Sequence, residues 1–325
     1  VTETEIIIPI HNRLEDTREC LTWLSRNTDA PYRLLLIDNR SDAPTAEWLA
    51  EVAQGQTYGP TRLLRNEVNL GWNGATNQGL AAAAAEFVCL LNNDTLPGPG
   101  WLGRMRAHFE RHPELALMNP RGDESSENRR VADRIEDGFC LLMPRRVWLE
   151  LGPFDETYTN GNWSDNDYAR RVQARGWVCG EARDAFVYHL GHRTFDEMDQ
   201  AWRTQSAQNE AAFYARWGRP QRIFLVPSRR LDAVSDRARD EVRAVFDLAR
   251  QGHRVWVPLL RRERIEAVLG HLEGPDHANV TFLRTRLPWP LSLAWAAWKW
   301  RYLKGKGRVE VRKRAGLIGP DATMV

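Results

Sequence analysis

The sequence predicts an α/β protein: a mostly parallel sheet flanked by helices, followed by a smaller α/β extension. Three observations predict it. Short, uninterrupted apolar runs occur at Ile6–Ile10, Leu34–Ile37 and Phe87–Leu91, and such runs suit strands buried on both faces. Segments with helical spacing alternate with them. Each run then stops at polar side chains: His11-Asn12-Arg13, Asp38-Asn39-Arg40-Ser41-Asp42, and Asn92-Asn93-Asp94-Thr95. In an open α/β sheet the carboxyl edge is where ligands bind.

Taken in order, Ile6–Ile10 is a strand and residues 15–27 a helix, with Leu21 and Leu24 on its apolar face. Leu34–Ile37 is the second strand, residues 44–53 a helix, and Arg62–Arg65 a short third strand. Asn69–Gly74 reads as a turn-rich loop before an Ala-rich helix at 75–85. The Phe87 strand is expected to end for good at the breakers Pro97, Gly98, Pro99 and Gly100. Residues 101–112 fit a helix, and Leu115–Asn119 a strand. The charged stretch 121–136 fits a mobile surface loop. Gly138–Met143 is a strand and Arg145–Leu151 a short helix. Residues 164–175 fit a helix stopped by Gly176. Trp177–Cys179 and Phe186–Tyr188 are expected as two short strands, the second running into His189.

With 325 residues, 42% hydrophobic and 27% charged, the chain is globular and long enough for about two domains. Its net charge of +2 is unevenly spread. From Arg219 onward there are 22 Lys and Arg against 11 Asp and Glu; the preceding part holds 23 against 32. A boundary is therefore expected near Gly218-Arg219-Pro220, giving domains at 1–218 and 219–325. No apolar run reaches bilayer-spanning length, and the start, Val-Thr-Glu-Thr-Glu, has no secretory character. Cys20, Cys89, Cys140 and Cys179 lie far apart, with neither zinc nor disulfide spacing, so a reducing cytosol is expected.

Asp94 is a hard oxygen donor suited to Mg²⁺ or Mn²⁺ carrying phosphates, while the trio Asn92-Asn93-Asp94 is also ordinary turn composition. The ordered set decides between these. Ile7–Arg13, Leu36–Ser41, Asn69–Asn77, Leu91–Thr95, Gly152–Glu156, Trp163–Tyr168 and Val187–His189 together resemble the family 2 inverting glycosyltransferases with the GT-A fold. The likeness covers about residues 4–195 and is closest to the rhamnosyl- and galactofuranosyl-transferase-like members. It implies metal-dependent transfer of a sugar from a UDP- or dTDP-linked donor to a hydroxyl of a glycan or lipid-linked glycan. The product would belong to cell-surface polysaccharide.

The resemblance assigns roles by position. Asp38 corresponds to the acceptor for the base imide N–H, with an Asx-turn as its structural alternative. Pro9, His11 and Arg13 border base and ribose. Asn69 and Asn73 either touch the nucleotide or shape their loop. The acidic metal motif corresponds to Asn92-Asn93-Asp94, where only Asp94 is a carboxylate; Asn92 then faces sugar or ribose, and Asn93 lies beside it. His189 corresponds to the histidine that completes the metal site, with His192 as a weaker substitute. The family's acidic pair becomes Ser164-Asp165, which makes Asp165 the general base and Asp167 the runner-up or an acceptor-binding group. Trp163 fits either stacking on an acceptor or core packing.

The C-terminal third reads as strand 223–227, helix 231–250, strand 253–259 and a third strand at 279–283. It has no Gly-rich phosphate fingerprint. Leu291, Trp295, Trp298 and Tyr302 at helical spacing, beside Lys299 to Arg308, suit peripheral contact of residues 284–314 with the inner membrane face; a helix packed on the protein is the alternative. The chain ends without an evident closing element, which fits a shortened piece. No nucleic-acid partner is expected. Two rivals remain: a catalytically impaired glycan-binding module, supported by Ser164, and a nucleotidyltransferase, which would want a Gly-rich loop where Pro9–Arg13 has no glycine.

Overall fold

The computed structural model describes residues 3–122, 138–190, 200–225, 231, 234–259, 268, 279–284 and 309–312. It divides into two units between Gly218 and Arg219. The first unit opens with β1 (Thr4–Ile10), α1 (Leu14–Asn27), β2 (Tyr32–Asp38), α2 (Ala43–Gly55), β3 (Thr61–Arg65), α3 (Gly71–Ala82) and β4 (Phe87–Leu91). Then come β5 (Thr95–Pro97), α4 (Trp101–Arg111), β6 (Leu115–Arg121), β7 (Cys140–Pro144) and α5 (Arg145–Leu151). A 3₁₀ turn (Thr159–Gly161), α6 (Ser164–Ala174), β8 (Val178–His189) and α7 (Gln200–Trp217) complete it.

The eight strands form one sheet in the order β3-β2-β1-β4-β7-β6-β8-β5. β3, β2, β1 and β4 are mutually parallel, while β7 runs antiparallel between β4 and β6. The expected mostly parallel sheet flanked by helices is present. β2, β1 and β4 are largely apolar because they lie inside the sheet with both faces covered; Ile6, Ile7, Ile8, Leu34, Leu35 and Leu36 have no exposed surface. The register puts Ile10 opposite Asp38 and Asp38 opposite Arg65. Three strand ends therefore align at one edge, and β4 delivers Asn92-Asn93-Asp94 to the same edge.

Several expectations are corrected. The turn-rich Asn69–Gly74 segment is already helical from Gly71, whose left-handed φ of +70 turns the chain into α3. Pro97 does not end pairing: after the 92–94 turn, β5 pairs with β8, where Pro97 lies opposite Val187 at the sheet margin. The two short strands 177–179 and 186–188 are one twelve-residue strand, β8, pairing with both β6 and β5. Helix α7 had no counterpart in the sequence reading. The 121–136 stretch lies outside the described residues beyond Gly122.

The second unit holds β9 (Arg222–Leu225), α8 (Asp236–Arg250), β10 (Arg254–Leu259), β11 (Val280–Arg284) and β12 (Val309–Arg312). These strands form a parallel sheet in the order β11-β10-β9-β12. Its core includes Ile223, Leu225, Val242, Phe246, Val255 and Val257. The helix expected from 231 begins only at Asp236, where Ser235 caps it by accepting from the Ala238 N–H at 3.2 Å. The Trp-rich stretch 285–308 lies outside the described residues. No described helix is long and apolar enough to cross a membrane.

Gly79 sets how closely α3 lies on the sheet. A Cβ there would run into Ile7 Cγ2 and would stand 3.5 Å from Ile37. Gly79→Ala should therefore lower stability by about 1–3 kcal/mol, as overpacking does, despite the better helix propensity of Ala. Urea denaturation checks this, and an unchanged midpoint contradicts it.

Candidate active site

At the end of β2, Asp38 is fully buried. Its Oδ1 accepts the N–H of Ser41, three residues on, at 2.8 Å, and its Oδ2 pairs with the Arg65 guanidinium. With no exposed surface, this carboxylate holds the 39–42 loop in place. Pro9 is half-buried inside β1, opposite Ile37, so it lies within the sheet and not in the following loop. His11 and Arg13 are exposed beyond it. The His11 ring meets the Asn39 carbonyl through Nδ1 at 3.1 Å. Asn12 ties the two loops together: its N–H donates to Ser41 Oγ at 2.9 Å, and its Oδ1 accepts from the Asp42 N–H at 2.8 Å.

The next residue, Asn39, was missed as a structural centre. Its Nδ2 donates to Asn69 Oδ1 at 2.8 Å and to the Gly71 carbonyl at 3.1 Å. Its Oδ1 accepts from Asn66 Nδ2 at 3.1 Å and from the Leu70 N–H at 2.9 Å. An amide can make about four hydrogen bonds, so this side chain is saturated. Asn69 is exposed, and its Oδ1 also accepts from the Gly71 N–H at 2.8 Å. Asn73 is buried and donates to the carbonyls of Asp155 at 3.1 Å and Tyr158 at 2.7 Å. For Asn73 the loop-shaping alternative describes the geometry.

At the end of β4, Asn92 Oδ1 accepts from the Trp72 indole N–H at 3.1 Å, and Asn93 Nδ2 donates to Thr17 Oγ1 at 3.0 Å. Beneath this turn Cys20 is buried, and burial pushes its thiol up to about 12; its Sγ lies 3.5 Å from Thr95 Oγ1. It is a packing thiol, not a nucleophile. Asp94 Oδ1 lies 3.3 Å from His189 Nε2. The β5–β8 pairing causes this, since Thr95 sits opposite His189 and the Leu190 N–H donates to the Asp94 carbonyl at 2.9 Å. The Phe139 ring stacks on His189 with centroids 4.9 Å apart.

A carboxylate oxygen and an imidazole nitrogen at this separation fit two positions of a Mn²⁺ or Mg²⁺ shell. Among the described residues no group of three or more His, Cys, Asp or Glu is placed for a metal. The remaining positions would fall to diphosphate oxygens and water.

Asp165 opens α6, half-buried, and its Oδ1 accepts from the Asn166 N–H at 2.8 Å. A Cβ at Gly138 would stand 2.8 Å from Asp165 Oδ2. The segment Gly138-Phe139 thus touches the base candidate with one residue and the metal candidate His189 with the next. Ser164 is fully buried, its hydroxyl donating to the Gly161 carbonyl at 2.5 Å. Trp163, at φ +74, packs against Phe213 and Tyr214 of α7, with centroids 5.1 and 5.5 Å away.

Asp167 is enclosed. Oδ2 takes Arg171 Nε at 3.0 Å; Oδ1 takes the Trp217 indole N–H at 2.8 Å and lies 3.2 Å from Arg216 Nη1. Tyr158, its pKa pushed up to about 12 by burial and by this carboxylate, stays protonated beside it. Arg216 and Trp217 come from α7, so only that helix reveals why Asp167 is buried. Asn209 of α7 adds bonds to the carbonyls of Thr159 and Asn162, each 2.9 Å. No sequence signal beyond helical spacing pointed to these three. His192 lies outside the described residues.

Residues 5–170 match the family model described as glycosyl transferase family 2. The chain is a member of that family. The chain is 33% identical over 115 residues to the O-antigen biosynthesis protein RfbC of Myxococcus xanthus, covering 35% of this chain and 9% of that protein. It is 27% identical over 218 residues to the glycosyltransferase AglE of Haloferax volcanii, covering 59% of this chain and 68% of the other. Its fold is similar to that of the mannosyltransferase PcManGT from Pyrobaculum calidifontis, solved with GDP-Man and Mn²⁺: TM-score 0.54, 18% identity, 66% of this chain and 63% of that one. It is also similar to GalNAc-T7, solved with UDP, GalNAc and Mn²⁺: TM-score 0.51, 14% identity, 58% and 43% of the two chains. At these identities the likeness shows the fold, GT-A-like. The chain thus spans under a tenth of the first relative and about two thirds of the second.

Asp167→Ala should destabilise the protein by about 3 kcal/mol or more, because it leaves Arg171 without its buried partner. Asp165→Ala should cost far less. Thermal unfolding of the two variants distinguishes them; equal losses would contradict the enclosed placement of Asp167.

Proposed function

We propose that the chain transfers a sugar, with inversion, from a nucleoside diphosphate sugar (UDP- or dTDP-linked) to a hydroxyl of a glycan or lipid-linked glycan. The single observation that carries this is the convergence of the Asp94 carboxylate and the His189 imidazole at the carboxyl edge of a family 2 sheet. A divalent metal bound there supplies neutralisation of the diphosphate leaving group. Asp94 and His189 would hold that ion, and Phe139 stacks on the imidazole and fixes its plane.

Asp165 is assigned as the general base. It is the half-buried acid of the helix start, whereas Asp167 is committed to arginines and indole. Its carboxylate takes the proton of the acceptor hydroxyl as that oxygen attacks the anomeric carbon, and the bond to the diphosphate oxygen breaks. The N-terminal end of α6 favours its ionised form. His11, Arg13 and Asn69 are exposed on the rim where base and ribose would lie, with Pro9, Asp38 and Asn73 behind them as support. Ser164, spent on the Gly161 carbonyl, supplies no second acid. Relatives named for O-antigen and amylovoran biosynthesis support a role in surface polysaccharide synthesis. Residues 1–218 form the catalytic domain in this reading, and 219–325 an accessory one.

Asp165→Asn should lower turnover by about 10²–10⁴, the usual worth of a general base, while donor binding survives. Asp94→Ala should abolish the metal dependence of donor binding in calorimetry with UDP-sugars, dTDP-sugars and Mn²⁺. A wild-type chain that binds donor but never transfers or hydrolyses it would favour the impaired binding module.

A further inference from the structure

Trp72 bonds to a group it can orient in only one way. Its indole Nε1 donates to Asn92 Oδ1 at 3.1 Å. An indole N–H is a donor and never an acceptor. The carboxamide oxygen of Asn92 must therefore face Trp72, and its amino group must point the other way. Asn92 is half-buried at the strand-end trio, two residues before Asp94. Among the described residues no acceptor meets its Nδ2. The backbone of Asn92 is pinned as well, its N–H donating to the Phe139 carbonyl at 2.8 Å and its carbonyl accepting from Thr95 Oγ1 at 2.7 Å. Only the direction of the amide is left for a side chain to decide.

Trp72 is itself held. Its ring meets Phe154 edge-on with centroids 5.6 Å apart, and Gly161 leaves room for it: a Cβ at Gly161, at φ +75, would stand 3.1 Å from Trp72 Cβ. The tryptophan reaches from the start of α3 to the end of β4. It links the Gly71-Trp72-Asn73-Gly74 segment to the Asn92-Asn93-Asp94 trio.

We propose that Trp72 is a positioning residue for donor binding, acting through Asn92. It locks the Asn92 amide so that N–H, not oxygen, faces the bound nucleoside diphosphate. Asn92 then serves as a hydrogen-bond donor to an oxygen of that ligand and takes no part in holding the metal, which leaves Asp94 as the carboxylate of the trio. This rests on the glycosyltransfer reading above.

Two measurements test it on the full chain. The first needs no ligand. In ¹⁵N NMR, Asn92→Ala should shift the Trp72 indole peak and raise its hydrogen-exchange rate; an unmoved peak overturns the proposal, whether or not any tryptophan variant folds. The second is a double-mutant cycle read by calorimetry with UDP, dTDP and GDP in the presence of Mn²⁺. Trp72→Phe keeps a ring against Phe154 and removes the donor. It should weaken affinity for the nucleoside diphosphate the parent binds by about fivefold, the worth of one hydrogen bond. In the Asn92→Ala background the same change should cost less than about twofold. Equal losses in both backgrounds mean a merely structural tryptophan and overturn the proposal alone. A parent that binds no nucleoside diphosphate overturns the glycosyltransfer reading, and this proposal with it.

Discussion

The structure depends on one constraint: parallel strands that stop in line leave unpaired backbone groups at a shared edge. Buried N–H and C=O groups have to find partners. Here short amides and hydroxyls supply them. Asn39 alone bonds to Asn66, Asn69, Leu70 and Gly71, so it ties the end of β2 to the start of α3. Asn12 and Ser41 do the same between the loops after β1 and β2. The polar residues that look like a ligand site are, in large part, what closes the sheet.

The same edge collects unusual backbone. Asn12, Arg13, Arg40 and Trp163 all take positive φ without being glycine. A non-glycine residue in that region costs of order 1 kcal/mol and persists only when its surroundings determine it. Trp163 shows how. Its ring is gripped by Phe213 and Tyr214, and its left-handed backbone starts α6 with Asp165 at the rim and Asp167 turned into the interior. The separation of two acids only two residues apart follows from helical geometry and from what α7 offers on the buried side.

Long-range pairing assembles the metal candidate. Asp94 and His189 are 95 positions apart in the chain, and β5, three residues long, brings them together by pairing with β8. Between them and Asp165 lies Gly138-Phe139, where a side chain at the first position would collide with the carboxylate. A glycine is needed there for close approach, not for its φ.

The amino-acid sequence by itself determined the apolar runs of β1, β2 and β4, the polar residues that end them, and the order of motifs that marks the family. Local patterns carry that information, because burial on both faces demands uninterrupted apolar residues and a ligand edge demands polar ones. Tertiary structure alone decided which groups each polar residue meets. Nothing in the sequence says what Asp38 and Asp167 meet; in the fold Arg65 pairs with one, and Arg171, Arg216 and Trp217 enclose the other. Pro97 read as a breaker and is a strand residue, since a margin position asks for no N–H on one side. Trp72 lies in a motif of the family, but nothing in the motif says that its indole bonds to Asn92. A carboxylate or an indole has the same sequence signature whether its partner is a ligand or a side chain far away in the chain, and only packing brings that partner into place.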